Sequence, residues 1–341
     1  MKAMFNIIPK MFALFRGLGA SKIKGRPLFI SHLVTTRCNC RCPMCLWREQ
    51  EKFDEMSAEE IGSFYRDLRQ SGFVQVGIWG GEPLLREDLE EILYFADQAD
   101  LLTVLVTNGY YLEERLDQLA PFLDAVILSL DYADEKHDQV RNCPGLSSRV
   151  ISSVETIRRR YPYIKVYFNY LLHRGNEDQI FPLAELAKQL KVSFYVCPLK
   201  SEAFVDSSKK VTEWKAESRD ESQIGNLLLD LKSKGFPVNN SYSYLRDFLR
   251  DNKSYNCHLP KISMMVYPHG EVINCMDPDK PLGNVKTQPM KDILASSTFE
   301  DLKKNALNCN HCNNPNVVDT SFMWELKSEP LLNAVKVLLR S

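Results

Sequence analysis

No run of apolar residues in the 341-residue chain approaches the roughly 20 needed to cross a bilayer. The 43 basic and 44 acidic side chains cancel to a formal net charge of −1, so the basic excess of a nucleic-acid-binding protein is missing. At 44% hydrophobic residues the chain also lacks the polar, highly charged composition of a disordered protein. Neither an internal repeat nor a low-complexity tract is present. A secretory signal is a poor reading of the amino terminus, because Lys10 and Arg16 interrupt the apolar run and no small-residue cleavage site follows a clean core. Acid is absent from the first 48 residues, which carry Lys2, Lys10, Arg16, Lys22, Lys24, Arg26, Arg37, Arg41 and Arg48 before the first carboxylate, Glu49.

Cysteine, by contrast, is abundant. The chain has 10, and a disulfide scaffold would be shorter and would spread them. Cys38, Cys40, Cys42 and Cys45 crowd into residues 38–45, and Cys257, Cys275, Cys309 and Cys312 form a second group. Such clustering points to metal ligation in a reducing compartment, hence the cytoplasm.

From residue 27 to about 200 the chain alternates two periodicities. Buried-strand patterns occupy Pro27–Thr35, Val74–Trp79, Leu102–Val106, Ala125–Leu130, Ile164–Leu172 and Val192–Val196. Helical stripes lie between them: Ser57 and Glu60 form a capping box ahead of Ile61, Phe64 and Leu68. Leu89, Ile92, Leu93 and Ala96 make a second stripe, and Val150, Val154 and Ile157 a third. Repeated strand–helix units imply parallel strands with right-handed crossovers, in a partial barrel or an open doubly wound sheet, with function at the carboxyl ends of the strands. The predicted organisation is a basic segment (1–26), an α/β core (27–205), a charged linker with helices (206–256), a small α+β cysteine module (257–318) and an amphipathic helix (319–341).

Cys38, Cys42 and Cys45 are spaced C-x3-C-x2-C on the loop after the first strand. Three thiolates on one loop suit three corners of a 4Fe–4S cubane with the fourth iron open, whereas structural zinc wants four ligands. Gly80-Gly81-Glu82-Pro83 ends the second strand, Thr107-Asn108-Gly109 the third, and Ser129-Leu130-Asp131 the fourth. In this order the sequence over residues 30–200 resembles the radical S-adenosylmethionine (SAM) superfamily, which implies a partial (β/α)6 TIM-like barrel. The resemblance also implies a SAM-binding 4Fe–4S cluster, SAM, and reductive cleavage to a 5′-deoxyadenosyl radical that abstracts a hydrogen from substrate. It assigns Gly80 and Gly81 to close backbone approach to the methionine amino group, and Glu82 and Pro83 to fixing that loop. Ser129 and Arg141 become candidates for the methionine carboxylate. Asn108, Asp131 and Asn169 become candidates for the ribose hydroxyls, with strand-end capping an equal reading for Asp131 and Asn169. His137 reads as a helix-start histidine more than as a proton donor. Two positions depart from the pattern: Met44 stands where an aromatic residue commonly meets adenine, and Cys40 is an extra, non-ligand thiol.

Met265 to Cys275 reads as two short strands around Pro268-His269-Gly270, and Cys309-Asn310-His311-Cys312 adds a C-x2-C pair. This layout looks like the Twitch form of the SPASM module, which implies that Cys257, Cys275, Cys309 and Cys312 hold one auxiliary 4Fe–4S cluster; a four-thiolate zinc site is the alternative. Cys143 and Cys197 fit neither group.

Two classes stay open from sequence: a radical SAM enzyme, and an iron–sulfur electron-transfer or regulatory protein that would have no need of the Gly-Gly-Glu-Pro loop. Within the first, dehydrogenation of a small alcohol or aminocyclitol competes with modification of a lipid-linked or peptide substrate. A flavodoxin or ferredoxin would be the electron donor. Met4, Phe5, Ile7, Ile8, Met11, Phe12, Leu14 and Phe15 interleaved with Lys10 and Arg16, together with the tail Leu331–Leu339, raise peripheral membrane contact beside the alternative that both ends simply cover the barrel.

Overall fold

The computed structural model describes residues 19, 21–23, 25–45, 54–199, 212–216, 218–246, 249, 255–277, 279–310 and 312–339, the side chains of 218–220 and 334–339 excepted. Six parallel strands follow one another across a sheet: β1 (Phe29–Thr35), β2 (Gln75–Gly80), β3 (Leu102–Thr107), β4 (Ala125–Ser129), β5 (Lys165–Leu172) and β6 (Ser193–Pro198). The crossovers are α1 (Ala58–Gln70), α2 (Leu89–Gln98), α3 (Leu112–Leu119), the short α4 (Lys136–Arg141) with α5 (Leu146–Arg160), and α6 (Ile180–Gln189). The architecture is the open, partial TIM-like barrel that the alternating periodicity predicts.

Local sequence explains each crossover. Ser57 accepts from the Glu60 amide while Glu60 accepts from the Ser57 amide, closing the capping box of α1. Ile61, Phe64 and Leu68 of α1, Leu89, Ile92, Leu93 and Ala96 of α2, and Val150, Val154 and Ile157 of α5 are all buried against the outer face of the sheet. The inner face differs. Gln75, Gly77 and Trp79 on β2, Leu102, Val104 and Val106 on β3, and Lys165, Tyr167, Asn169 and Leu171 on β5 alternate with buried neighbours and are only half-buried. This period of two reflects an interior left open on one side.

The cysteine module extends the same sheet. β7 (Ser263–Val266) runs parallel to β1, pairing Phe29 with Ser263 and His32 with Val266. β8 (Glu271–Val272) and β9 (Gly283–Asn284) then add antiparallel, giving the order β6-β5-β4-β3-β2-β1-β7-β8-β9. The hairpin around Pro268-His269-Gly270 is present, as are helices α8 (Met290–Ile293), α9 (Ser297–Ala306), α10 (Pro315–Trp324) and α11 (Ser328–Leu339). Within the charged stretch read as linker, helix α7 (Ser218–Ser233) starts at Ser218, earlier than its weak periodicity suggests; residues 206–211 lie outside the described residues.

The far edge of β6 is covered by the chain after α7. The Asn239 amide donates to Phe194 at 2.7 Å, and the Asn240 side-chain amide bonds both the amide and the carbonyl of Val196 at 2.9 Å. Helix α10 then ties this edge to the β7 flank. Its Asp319 accepts from Ser241 at 2.5 Å, and its Ser321 hydroxyl accepts from the His258 amide at 3.0 Å. Burial raises the Asp319 carboxyl to about 7.

Candidate active site and auxiliary metal centre

The first cysteine loop leaves β1 at Thr35 and lies against the loop that leaves β2. The Gly81 amide donates to the Thr35 carbonyl at 2.8 Å, and the Glu82 amide to the Arg37 carbonyl at 2.7 Å. A Cβ on Gly80 would stand 2.2 Å from the Thr35 oxygen, and one on Gly81 would stand 2.2 Å from the Arg37 oxygen. Both glycines are therefore required by contact between the two loops, a reason additional to the approach to a methionine amine inferred from sequence.

Glu82 anchors that contact from below. Its fully buried carboxylate accepts from the Thr107 hydroxyl at 2.6 Å, the Leu84 amide at 3.0 Å and the Asn108 amide at 2.8 Å, while burial pushes its pKa up. Pro83 begins a buried turn over Pro83–Leu85. The Asn108 side chain donates to Asn39 at 2.8 Å and accepts from the Tyr110 amide at 2.9 Å, so β3 is bonded directly to the cysteine loop. Arg86, only 4% exposed, is the structural residue that sequence reasoning missed. It donates to the Val34 and Met56 carbonyls at 2.9 Å each and pairs with Asp88. The available signal was an arginine placed directly after the apolar Pro83-Leu84-Leu85.

Asp131 and Arg141 are where the structure adds to the sequence reading. The guanidinium binds Asp131 Oδ2 through Nε and Nη2, both at 2.8 Å, and Asp131 Oδ1 accepts from the Leu171 amide at 3.0 Å. Both Asp131 oxygens are thus engaged inside the protein, the arrangement of a strand-end cap and counter-ion, which is the second of the two readings its sequence position allows. Arg141 sits beside the thiol loop: its carbonyl accepts from the Arg41 amide at 3.1 Å and from the Cys42 thiol at 3.7 Å. His137 is fully buried, accepts from the Asp131 amide at 3.2 Å, and is lowered to about 4 by burial and by the Arg141 charge. It is a neutral support for Asp131. Ser129 and Asn169 face each other in register across β4 and β5 at the carboxyl end of the sheet. The Asn169 Oδ1 atom is buried without a hydrogen-bond partner.

Cys38 and Cys45 are exposed and Cys42 half-buried. The Cys40 thiol hydrogen-bonds to both Cys38 and Cys42 and lowers them, with Arg141 adding to the effect on Cys42, which falls to about 7. Cys143, unplaced by sequence, packs on the same loop, its sulfur 3.7 Å from the Asn39 amide nitrogen. Met44 is buried against Leu199 and Trp214. Cys197 lies on β6 opposite Leu171, its thiol pushed up to about 12 by burial.

The second set behaves differently. Cys257, Cys275 and the Cys309–Cys312 pair come from three places in the chain yet lie within electrostatic reach of one another. Burial, followed by the neighbouring thiols, raises Cys257 to about 11 and Cys275 to about 12. Tyr255 is held among three of them.

The donor sets fit the groups they imply. Three soft thiols on an accessible loop, a cradle that no Cβ could enter, and the orphaned Asn169 oxygen match a cluster with one open iron and a polar ligand above it. Four converging thiols, two buried and two half-buried, match a closed iron–sulfur site.

Comparison with known proteins agrees. Residues 33–187 match the radical SAM superfamily, and residues 257–313 match the SPASM iron–sulfur cluster-binding domain. The structure is similar to Streptococcus suis SuiB bound to its precursor peptide SuiA, with TM-score 0.69 and 16% identity over 92% of this chain and 77% of that one. It is also similar to anSMEcpe with bound AdoMet and the Cp18Cys peptide, with TM-score 0.65 and 16% identity over 92% of this chain and 98% of that one. The chain belongs to the radical SAM superfamily and is an enzyme with a carboxyl-terminal SPASM-type module. Its cofactors are a SAM-binding 4Fe–4S cluster, SAM, and a second, auxiliary cluster.

Proposed function

We propose that the enzyme abstracts a hydrogen atom from a peptide substrate lying across the open inner face of the sheet. Cluster and SAM together supply one-electron cleavage of the sulfonium to methionine and a 5′-deoxyadenosyl radical. Cys38, Cys42 and Cys45 hold the cluster. Gly80 and Gly81 bring the backbone of their loop against it, and Glu82 and Pro83 keep that loop in place. Arg141, already paired with Asp131, offers the rest of its fork to a carboxylate, and Ser129, Asn108 and the unpartnered Asn169 offer polar contacts to the remainder of SAM. Cys257, Cys275, Cys309 and Cys312 hold the auxiliary cluster, which takes up an electron or helps to seat substrate. A flavodoxin- or ferredoxin-type protein supplies the reducing electron.

The observation that carries the peptide reading is the long half-buried inner stripe running from Trp79 to Leu171, which suits an extended chain better than a compact polyol. The similar folds of SuiB and anSMEcpe, both solved with peptides, support it. Deuterium transfer into 5′-deoxyadenosine from deuterated peptide pools tests it. Transfer from an aminocyclitol or another small alcohol, and none from peptides, would reverse the assignment and make the enzyme a small-molecule dehydrogenase.

A further inference from the structure

At the amino-terminal ends of β1 and β7, opposite the cysteine loop, two lysines gather around one indole, with a third lysine beside them. Lys22 donates to the Trp324 carbonyl and stands 5.4 Å from the ring centroid, and Lys261 stands 5.8 Å from the same ring. The ammonium of Lys303 reaches within 3.9 Å of where a Cβ on Gly25 would lie. Among the described residues, neither Lys22 nor Lys261 pairs with a carboxylate. Glu300 serves Lys303 at 2.6 Å, and Glu325 faces His258 at 3.4 Å. Burial, then the charges of Lys303 and Lys22, lower the Lys261 pKa, so the cluster repels itself.

The rim of this cluster is apolar and exposed. Ile23 is 87% exposed and Leu326 64%. Leu326 also holds a left-handed backbone with φ of +61°, a conformation costly for any side chain. Two lysines on a half-buried tryptophan, without a carboxylate partner among the described residues and rimmed by protruding aliphatic side chains, have the chemistry of an interfacial anchor. Residues 1–18, which precede Gly19 in the chain, are apolar and basic without any acid in sequence.

We infer that this face docks on an anionic phospholipid bilayer, with Lys22 and Lys261 meeting lipid phosphates and Ile23, Trp324 and Leu326 entering the headgroup layer. A lone phosphate would explain the lysines but not the exposed aliphatic rim. Strand β1 is seven residues long, which sets the cysteine loop about 20 Å from the docked face and turned away from the bilayer. A membrane-tethered or soluble peptide reaches a mouth so placed, whereas an acyl chain within the bilayer does not. This orientation rests on the active-site reading above; the docking itself does not.

Co-sedimentation of the full-length, cluster-loaded enzyme with vesicles provides the test. Vesicles of phosphatidylcholine alone are compared with vesicles containing about one quarter phosphatidylglycerol, at low and high salt. Binding is expected only to the anionic vesicles and is expected to weaken with salt. The double variant Lys22→Gln/Lys261→Gln should bind roughly thirtyfold more weakly, from about 1 kcal/mol per lysine near the surface. Lys136→Gln, an exposed lysine at the start of α4 beyond the carboxyl end of β4, should bind unchanged. Leu326→Gly should bind more weakly yet melt at a higher temperature. Each variant should still cleave SAM, which shows that it is folded. Absence of wild-type binding to anionic vesicles, equal binding by the double variant, or saturable binding of inorganic phosphate without vesicle binding would each overturn the proposal. None of these outcomes bears on the peptide assignment, which the deuterium assay reads separately.

Discussion

Cys38, Cys42 and Cys45 sit on one loop, two of them exposed, with a neighbouring thiol and a guanidinium favouring thiolate. Cys257, Cys275 and the Cys309–Cys312 pair arrive from three places in the chain, and burial favours the protonated forms of Cys257 and Cys275 until metal displaces the proton. The first arrangement leaves an iron accessible to an exchangeable ligand, and its precision comes from backbone contact with the Gly80-Gly81 loop. The second is closed, and its precision comes from packing β7, α9 and α10 around it. One region is open, as exchange of a ligand requires, and the other is enclosed, as a structural metal site requires.

The sharpest way to break this contrast is to remove one thiol from each set. Cys42→Ala should abolish 5′-deoxyadenosine formation after anaerobic reconstitution with dithionite and SAM, while the auxiliary site keeps about four iron per chain. Cys312→Ala should lose the auxiliary iron and melt earlier, yet retain SAM cleavage. Continued product from Cys42→Ala would undo the assignment of the open site.

Gly81→Ala probes the backbone contact directly. Its Cβ would fall 2.2 Å from the Arg37 oxygen, so the loops must part, at a cost of more than about 3 kcal/mol. Urea titration should show that loss, and iron analysis should show the first site depleted and the second filled. Equal depletion of both would mean that the regions are not independent.

Glu82→Gln is a milder version. One of its terminal atoms becomes a donor facing the Thr107 hydroxyl or a backbone amide, and a charged acceptor is lost, for about 2–3 kcal/mol by the same titration.

The smallest effect concerns β1, the strand both regions share. His32 is buried against Phe64 and Tyr65, and burial lowers it from 6.5 to about 3. Its folded pKa lies below its unfolded one, so the unfolded chain takes up the proton first and stability falls as pH drops below 6.5. The expected loss is about 2 kcal/mol between pH 6.5 and 5. His32→Leu should flatten that slope in chemical denaturation, and an unchanged slope would place the titration elsewhere.

Much of this was legible in sequence. The six strands, the capping box at Ser57 and the hydrophobic stripes follow from local periodicity, which needs no partner to be read. The cysteine spacing and the Gly-Gly-Glu-Pro loop identify the chemistry because the ligands of a cluster must be soft, near and on one loop. Other features depend on residues far apart in the chain. The Asn39–Asn108 bond and the placement of Cys143 against the cysteine loop exist only once β3 and the segment after β4 close on the loop that follows β1.

The joining of β7 to β1, which merges core and module into one sheet, is equally a pairing across more than half the chain. Charge shows the division most clearly. From sequence, an amino terminus without acid is a tendency of composition; that Lys22 and Lys261 share one indole is decided by tertiary structure, because β1 and β7 must lie side by side before their preceding residues can meet. Sequence by itself determined which elements form and which metal chemistry they carry, since both rest on short-range spacing. Folding alone decided which polar groups remain free to bind anything else.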